Sequence, residues 1–364
     1  MNENALFYIA LTRVKGVGSR TAIQLLESFK DPEEIFHSAD RELKERTRLG
    51  KKIIEEIRSF QGLEQCRREL LQLQDRGIQV VTIDDTEYPI SLQHIPDRPI
   101  VLYMKGSSTS YSRNIAIVGT RIPSRRAEKM VRNLIKDLGH CNCNIVSGLA
   151  YGVDRMAHES AVELGIPTSA VLGHSLDRIY PGSHSALARS IIEKNGNLIS
   201  EHSLGVKPDR ENFPMRNRIV AGMCDATIVV ESKIRGGSLI TADLAFQYHR
   251  DVFAVPGRPE DESSAGCLDL IRKNKAQICT SAEDVIRQLN WDTNSAAPKQ
   301  REIPLDLNEH QMHIWKALQE AAPLHIDELL RLTGLRNSEI ATELLNLELR
   351  GLIRQNPGNS IDIR

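Results

Sequence analysis

From Gly77 to about residue 285 the chain keeps one rhythm, and that rhythm limits the fold more than any other feature. Short runs rich in β-branched residues alternate with stretches of helical periodicity. The runs are Ile78–Ile83, Ile115–Val118, Asn144–Val146, Thr168–Leu172, Asn197–Ile199, Ala226–Val230 and Asp251–Ala254. Helical stretches fall near 125–138, 154–164, 184–194, 215–222, 239–248 and 265–273. Strands joined by helical crossovers lie parallel, and strands this apolar are buried on both faces. The spacing therefore predicts an α/β fold with a mostly parallel sheet. Every strand-to-helix loop then reaches the same carboxyl edge, where open α/β sheets bind ligands.

The flanks read differently. Residues 1–76 are helical, and Val14-Lys-Gly-Val-Gly18 ahead of Ser19-Arg-Thr-Ala-Ile-Gln-Leu-Leu26 resembles a helix-hairpin-helix, with Ser19 as the expected N-cap. Such a turn can offer backbone N–H groups to a DNA phosphate, and it can equally be structural. After the 77–290 core, residues 291–307 form a polar, Pro-containing linker. Residues 308–364 give three short helices and a hairpin turning at Asn356-Pro-Gly-Asn359, the pattern of a winged helix.

Composition excludes several classes. With 40% hydrophobic and 26% charged residues among 364, neither wholesale disorder nor a fibrous repeat fits. No run of some 18 apolar residues occurs, and the N-terminus lacks a signal-peptide pattern, so no membrane association and a cytoplasmic location are expected. Six cysteines in such a chain read as reduced thiols.

The net charge of −1 is unevenly spread. Residues 111–290 carry 23 Lys/Arg against 20 Asp/Glu, and residues 301–364 carry 7 against 10. Arg113, Arg121, Arg125, Arg126, Lys129, Arg132 and Lys136 share one stretch with a single acid, Glu128. Such a cluster favours a polyanion, although charge alone fits a solvated helix face as well.

Three loops carry more information. In Val118-Gly-Thr-Arg-Ile-Pro-Ser124, Gly119 permits close backbone approach to a ligand, Arg121 can fork onto phosphate oxygens and Ser124 can cap the next helix. In Val146-Ser-Gly-Leu-Ala-Tyr-Gly-Val-Asp154, Ser147 and Gly148 are placed to donate to a phosphate. Asp154 and His158 lack further metal ligands and read as an N-capping Asp with a packed His. His140-Cys-Asn-Cys143 likewise lacks the second half of a zinc site. Near the helix start at Phe213-Pro-Met-Arg-Asn-Arg218, Arg216 and Arg218 flank Asn217, and Phe213 can stack on a base. The alternative there is a core Phe213 with both arginines in structural salt bridges. Gly237 and Ser238 open a further helix as a third anion cradle.

Neither GxGxxG nor GxxxxGK[ST] occurs, so no dinucleotide or ATP cofactor is expected. No general base, nucleophile or metal set accompanies the loops, which points to binding rather than turnover.

These segments, with Ala157-His158, Tyr180-Pro181, Leu198-Ile-Ser-Glu201, Gly237-Ser-Leu-Ile-Thr241 and Val252-Phe-Ala-Val-Pro-Gly257, resemble the DNA-processing protein A (DprA/Smf) family in order and spacing, over roughly residues 80–285. The resemblance implies an extended Rossmann-like domain that forms homodimers, binds single-stranded DNA and loads the RecA recombinase onto it. In naturally competent bacteria the family protects incoming transforming DNA. The appended domains implied are a helix-hairpin-helix (SAM-like) N-terminus and a winged helix. By position, Arg121, Ser147, Gly148, Phe213, Arg216, Arg218, Gly237 and Ser238 would line the DNA pocket.

Three departures stand out: Arg126-Ala127 in place of an aromatic-Gly pair, Gly165-Ile-Pro in place of a Gly pair, and Ser175 where Gly is common. The rival reading is a nucleotide-cleaving enzyme of the related phosphoribohydrolase (lysine decarboxylase-like) group. Those enzymes carry a PGGxGT loop followed by a catalytic Glu, and Arg235-Gly-Gly-Ser-Leu-Ile-Thr241 lacks both. The acidic tail is a poor footprint for duplex DNA, so its winged helix is expected to bind protein or to orient a dimer.

Overall fold

Strands β3 (Asn114–Val118), β4 (Asn144–Ser147), β5 (Thr168–Leu172), β6 (Asn197–Ser200) and β7 (Ala226–Val229) are buried at every residue. This is why they read as unbroken apolar runs rather than alternating ones. With β8 (Asp251–Ala254) and the two-residue β9 (Gln277–Ile278) they form a parallel array. In the computed structural model, residues 4–29, 31–107, 111–291, 307–321, 324–350, 352–356 and 360–363 are described. The expected linker falls almost wholly outside them, as does the hairpin turn at 357–359.

The full order is β1-β2-β6-β5-β4-β3-β7-β8-β9, where β1 is Gln79–Thr82 and β2 is Val101–Gly106. Both of these run antiparallel, β2 against β6 and β1 against β2. The sequence reading passed over β2 and β9. β2 follows no helical crossover, so the strand-helix rhythm gave it no place; β9 is too short to register. The predicted crossover helices are all present, including Arg125–Leu138, Val153–Leu164, Asn212–Met223 and Gly237–Gln247.

Strand order reverses at β3. The chain builds outward through β4, β5 and β6 on one side, then returns to add β7, β8 and β9 on the other. At such a reversal neighbouring loops leave in opposite directions and open a crevice at the carboxyl edge.

Among the described residues, six helices precede the sheet, from Ala5–Arg13 to Leu63–Asp75. Their apolar faces share one core with Val101, Tyr103, Leu172 and Leu198 of the sheet. The helical segment and the sheet accordingly form one compact unit, Met1–Ser295. Polar links add to this: Arg13 pairs with Glu69, whose other oxygen accepts from Leu204 N at 2.7 Å, and Tyr8 donates to Asp84. The hairpin helix starts one residue earlier than expected. Gly18 is its N-cap, and Ser19 is its first helical residue.

The second unit, Ala296–Arg364, has its own core around Ile314, Leu318, Leu329, Ile340 and Leu344. Helices Glu309–Ala321, Ile326–Thr333 and Asn337–Leu349 accompany a small antiparallel sheet in the order β10 (Leu324–His325), β12 (Ser360–Ile363), β11 (Ile353–Asn356). That is a winged helix.

All six cysteines are free and buried. No helix among the described residues is long and apolar enough to cross a membrane.

Candidate nucleic-acid interface

The loops after β3, β4 and β7, with the start of helix Asn212–Met223, enclose a cavity of about 730 Å³ at the order reversal. Among the described residues, its basic lining residues are Arg121, Arg210, Arg216, Lys233 and Arg235, and its one acidic lining residue is Asp154. Arg121, Arg210, Lys233 and Arg235 are exposed. Arg216 is buried at 5% exposure.

The centre of the site is built from Arg216, Gly148 and Asp154. Arg216 donates from Nη1 to the carbonyl of Val171 at the end of β5. Its guanidinium occupies the space that a β-carbon on residue 148 would need, so any side chain there would have to displace it. The Asp154 carboxylate accepts from the N–H groups of Gly148 at 3.2 Å and Ala150 at 3.4 Å. Those two bonds bracket Leu149, a buried residue held at φ +55°. That left-handed conformation costs a non-glycine residue about 1–2 kcal/mol. Burial raises the Asp154 carboxyl above its ordinary range, and Arg216 beside it pulls the other way. Burial lowers the Arg216 guanidinium from its ordinary value; the Asp154 charge opposes that shift and the Arg121 charge adds to it.

This geometry changes the reading of several residues. Asp154 is not the N-cap of helix Val153–Leu164; Gly152 precedes it, and Asp154 reaches back to fasten the loop. The N–H of Gly148 is consequently spent on Asp154 rather than offered to a ligand. Ser147 is fully buried, and its hydroxyl donates to Ile117 O at 2.6 Å, so it does not line the cavity. Arg218 does not line it either. It pairs with Glu201 and donates to Asp97 O at 2.7 Å, the structural salt bridge that was the alternative at this position.

The other expected residues converge. Gly119, Arg121, Gly148, Phe213, Arg216, Asn217, Gly237 and Ser238 all line the one cavity. Gly119 is required by packing, since a β-carbon would lie 2.6 Å from Val153 Cγ2. Gly237 faces open space at the head of its helix, which no side chain caps. Ser238 donates to Ser232 Oγ at 2.9 Å. Ser124 caps Arg125–Leu138 as expected, accepting from Ala127 N at 3.2 Å. Phe213 meets Tyr180 with ring centroids 5.8 Å apart and planes tilted by 34°. Tyr180 is half-exposed, so the pair offers an aromatic wall on the cavity's rim.

Among the charged and aromatic lining residues, sequence reasoning missed Tyr180, Arg210, Lys233 and Arg235. A signal existed for Lys233 and Arg235, which sit in the loop after β7 just ahead of the Gly236-Gly237 turn. Among the described residues, no His/Cys/Asp/Glu group could hold a metal ion.

A cationic cradle at the switch point of a Rossmann-like sheet, with a helix-hairpin-helix before it and a winged helix after it, defines a class of α/β protein equipped for a polyanion. The chain belongs to the DNA recombination-mediator protein A family, which it matches over residues 79–290. Residues 296–359 match the DprA winged helix domain and residues 8–60 the SAM-like helix-hairpin-helix tandem.

Among curated relatives, it is 33% identical to Protein Smf of Synechocystis over 98% of both chains. It is 39% identical to DNA processing protein DprA of Bacillus subtilis, over 61% of this chain and 75% of that one. Among solved structures, DNA processing protein A from Streptococcus pneumoniae superimposes with a TM-score of 0.61 at 32% identity, covering 78% of this chain and 97% of the other. The Helicobacter pylori protein, solved for its single-stranded DNA binding mode, gives 0.53 at 30% identity, covering 58% and 96%. The protein is thus a DNA-processing recombination mediator by family.

Proposed function

We propose that this protein binds single-stranded DNA in the trough at the β3/β7 switch point, protects it, and delivers it to RecA during natural transformation. The observation that carries this reading is the charge balance of the cavity. Four exposed cations, of which Lys233 pairs with Glu262 at 3.0 Å, and one buried arginine surround it, and the only carboxylate among its described lining residues is tied into the protein by Gly148 and Ala150. Exposed guanidinium and ammonium groups grip phosphates, and the Tyr180–Phe213 wall can stack a base. Neither contact selects a base, so little sequence preference is expected.

The same arrangement favours binding over turnover. Among the described lining residues Asp154 is the one carboxylate, and it already accepts from the N–H groups of Gly148 and Ala150, so it is badly placed to act as a general base. We read the protein as non-catalytic, homodimeric and cytoplasmic.

The test is a mobility-shift comparison of single- and double-stranded oligonucleotides across a salt series, repeated with RecA present. Preference for single strands, a steep fall in affinity with salt, and faster RecA filament formation on the bound strand are the expected results. Arg121→Glu binding like the parent protein would reject the trough as the site.

A further inference from the structure

A second cavity, of about 560 Å³, opens beside the trough, and Pro214 and Ile240 line both. Its far wall is the start of the hairpin helix, Gly18 to Thr21, in the segment whose functional use the sequence left open. The hairpin is held there rather than tethered loosely. Its helix shares the core of the sheet, and Glu27 at its end pairs with Arg98 at 3.6 Å.

The chemistry of this groove is divided between stacking and charge. Met215 and Ile240, at 50% and 42% exposure, give it an apolar floor at the sill it shares with the trough. Arg20 is exposed on the hairpin side, and Arg218 is already committed to Glu201 and Asp97 O. The one acid lining the groove among the described residues, Asp97, accepts the Tyr248 hydroxyl at 2.7 Å.

We propose that a single DNA strand leaving the trough crosses the Pro214–Ile240 sill and continues along this groove, with bases on Met215 and Ile240 and a phosphate on Arg20. This rests on the trough reading and extends it, making the helix-hairpin-helix part of the DNA path. Continuity of the two cavities, and an uncommitted exposed cation at the far side of an apolar floor, fit a flexible sugar-phosphate chain. A protein segment would find no charged partner on the floor and one lone cation at its edge.

The experiment is fluorescence anisotropy on the full chain with oligothymidylates of about 6 and about 20 nucleotides, the shorter able to occupy the trough alone. Arg20→Glu should weaken the longer probe about tenfold, lower its salt slope by about 0.7 for the lost phosphate contact, and leave the shorter probe unchanged. Met215→Asp should repeat that length dependence through the floor. Arg121→Glu should weaken both probes. Arg20→Glu and Met215→Asp binding both probes like the parent protein, or weakening both by the same factor, would overturn the extension while Arg121 dependence persists. Indifference of both probes to Arg121→Glu would overturn the trough reading, and this inference with it.

Discussion

Arg216 lies against Gly148, its guanidinium filling the volume that a side chain at 148 would occupy while it donates to Val171 O. Gly148→Ala should therefore push Arg216 from its place on Val171 O. Overpacking of this kind costs about 1–3 kcal/mol, and Asp154 would lose its neighbouring cation at the same time. The expected outcome is a lower melting temperature together with weaker single-strand binding. A variant that melts and binds like the parent would show that the arginine can sit elsewhere.

Ser147 and Arg121 should separate stability from binding. Ser147→Ala removes a buried hydroxyl's bond to Ile117 O and should cost about 1 kcal/mol in urea unfolding with affinity unchanged. Arg121→Glu, on an exposed residue, should leave the unfolding midpoint almost in place and abolish most binding. Reversed results would mean that the β4 loop, not the β3 loop, meets the ligand.

The Arg218–Glu201 pair is a buried ion pair, with side chains 8% and 13% exposed. Removing one partner strands the other's charge. Arg218→Ala should lose about 3–5 kcal/mol, read as a drop in the urea midpoint, whereas Arg218→Met combined with Glu201→Leu should recover most of it. A single variant as stable as the parent would mean that Glu201 takes up its proton at no cost.

His158 sets a pH limit. It is fully buried against Thr168 Oγ1 at 2.7 Å, and burial first, then the nearby Arg216, pushes its pKa down to about 3. The unfolded chain binds a proton at this residue near pH 6.5, while the folded chain does not until about pH 3. Stability is therefore full above pH 6.5 and falls with acid between those limits. His174 and His202, also lowered by burial, act in the same direction. His158→Leu should flatten the acid limb by up to about 1.4 kcal/mol per pH unit, measured by urea titration from pH 7 to pH 4. An unchanged slope would place the proton uptake elsewhere.

The sheet was legible because a parallel strand buried on both faces leaves a run that needs no alternation to be seen. β2 was not, since a strand added antiparallel between β1 and β6 follows no crossover. The site was legible at the level of loops and not of directions. Residues 216 and 218 lie about 200° apart around a helix, so both cannot face one cavity, and the periodicity that predicted the helix held that information. Ser147 is the last residue of β4 and points into the sheet, while Gly148 begins the turn. Arg210 comes to the trough only because the chain folds back before Asn212, which local pattern does not reveal.

The buried thiols have a practical consequence. Burial pushes Cys143, Cys267 and Cys279 up to about 12 and raises Cys66, Cys141 and Cys224 as well, so none presents an accessible thiolate at neutral pH. Maleimide chemistry on the native fold is thereby reserved for whatever cysteine is engineered onto the surface. Dyes could be placed along the rim of the trough, and a strand's route followed by energy transfer, without first stripping out a single natural sulfur.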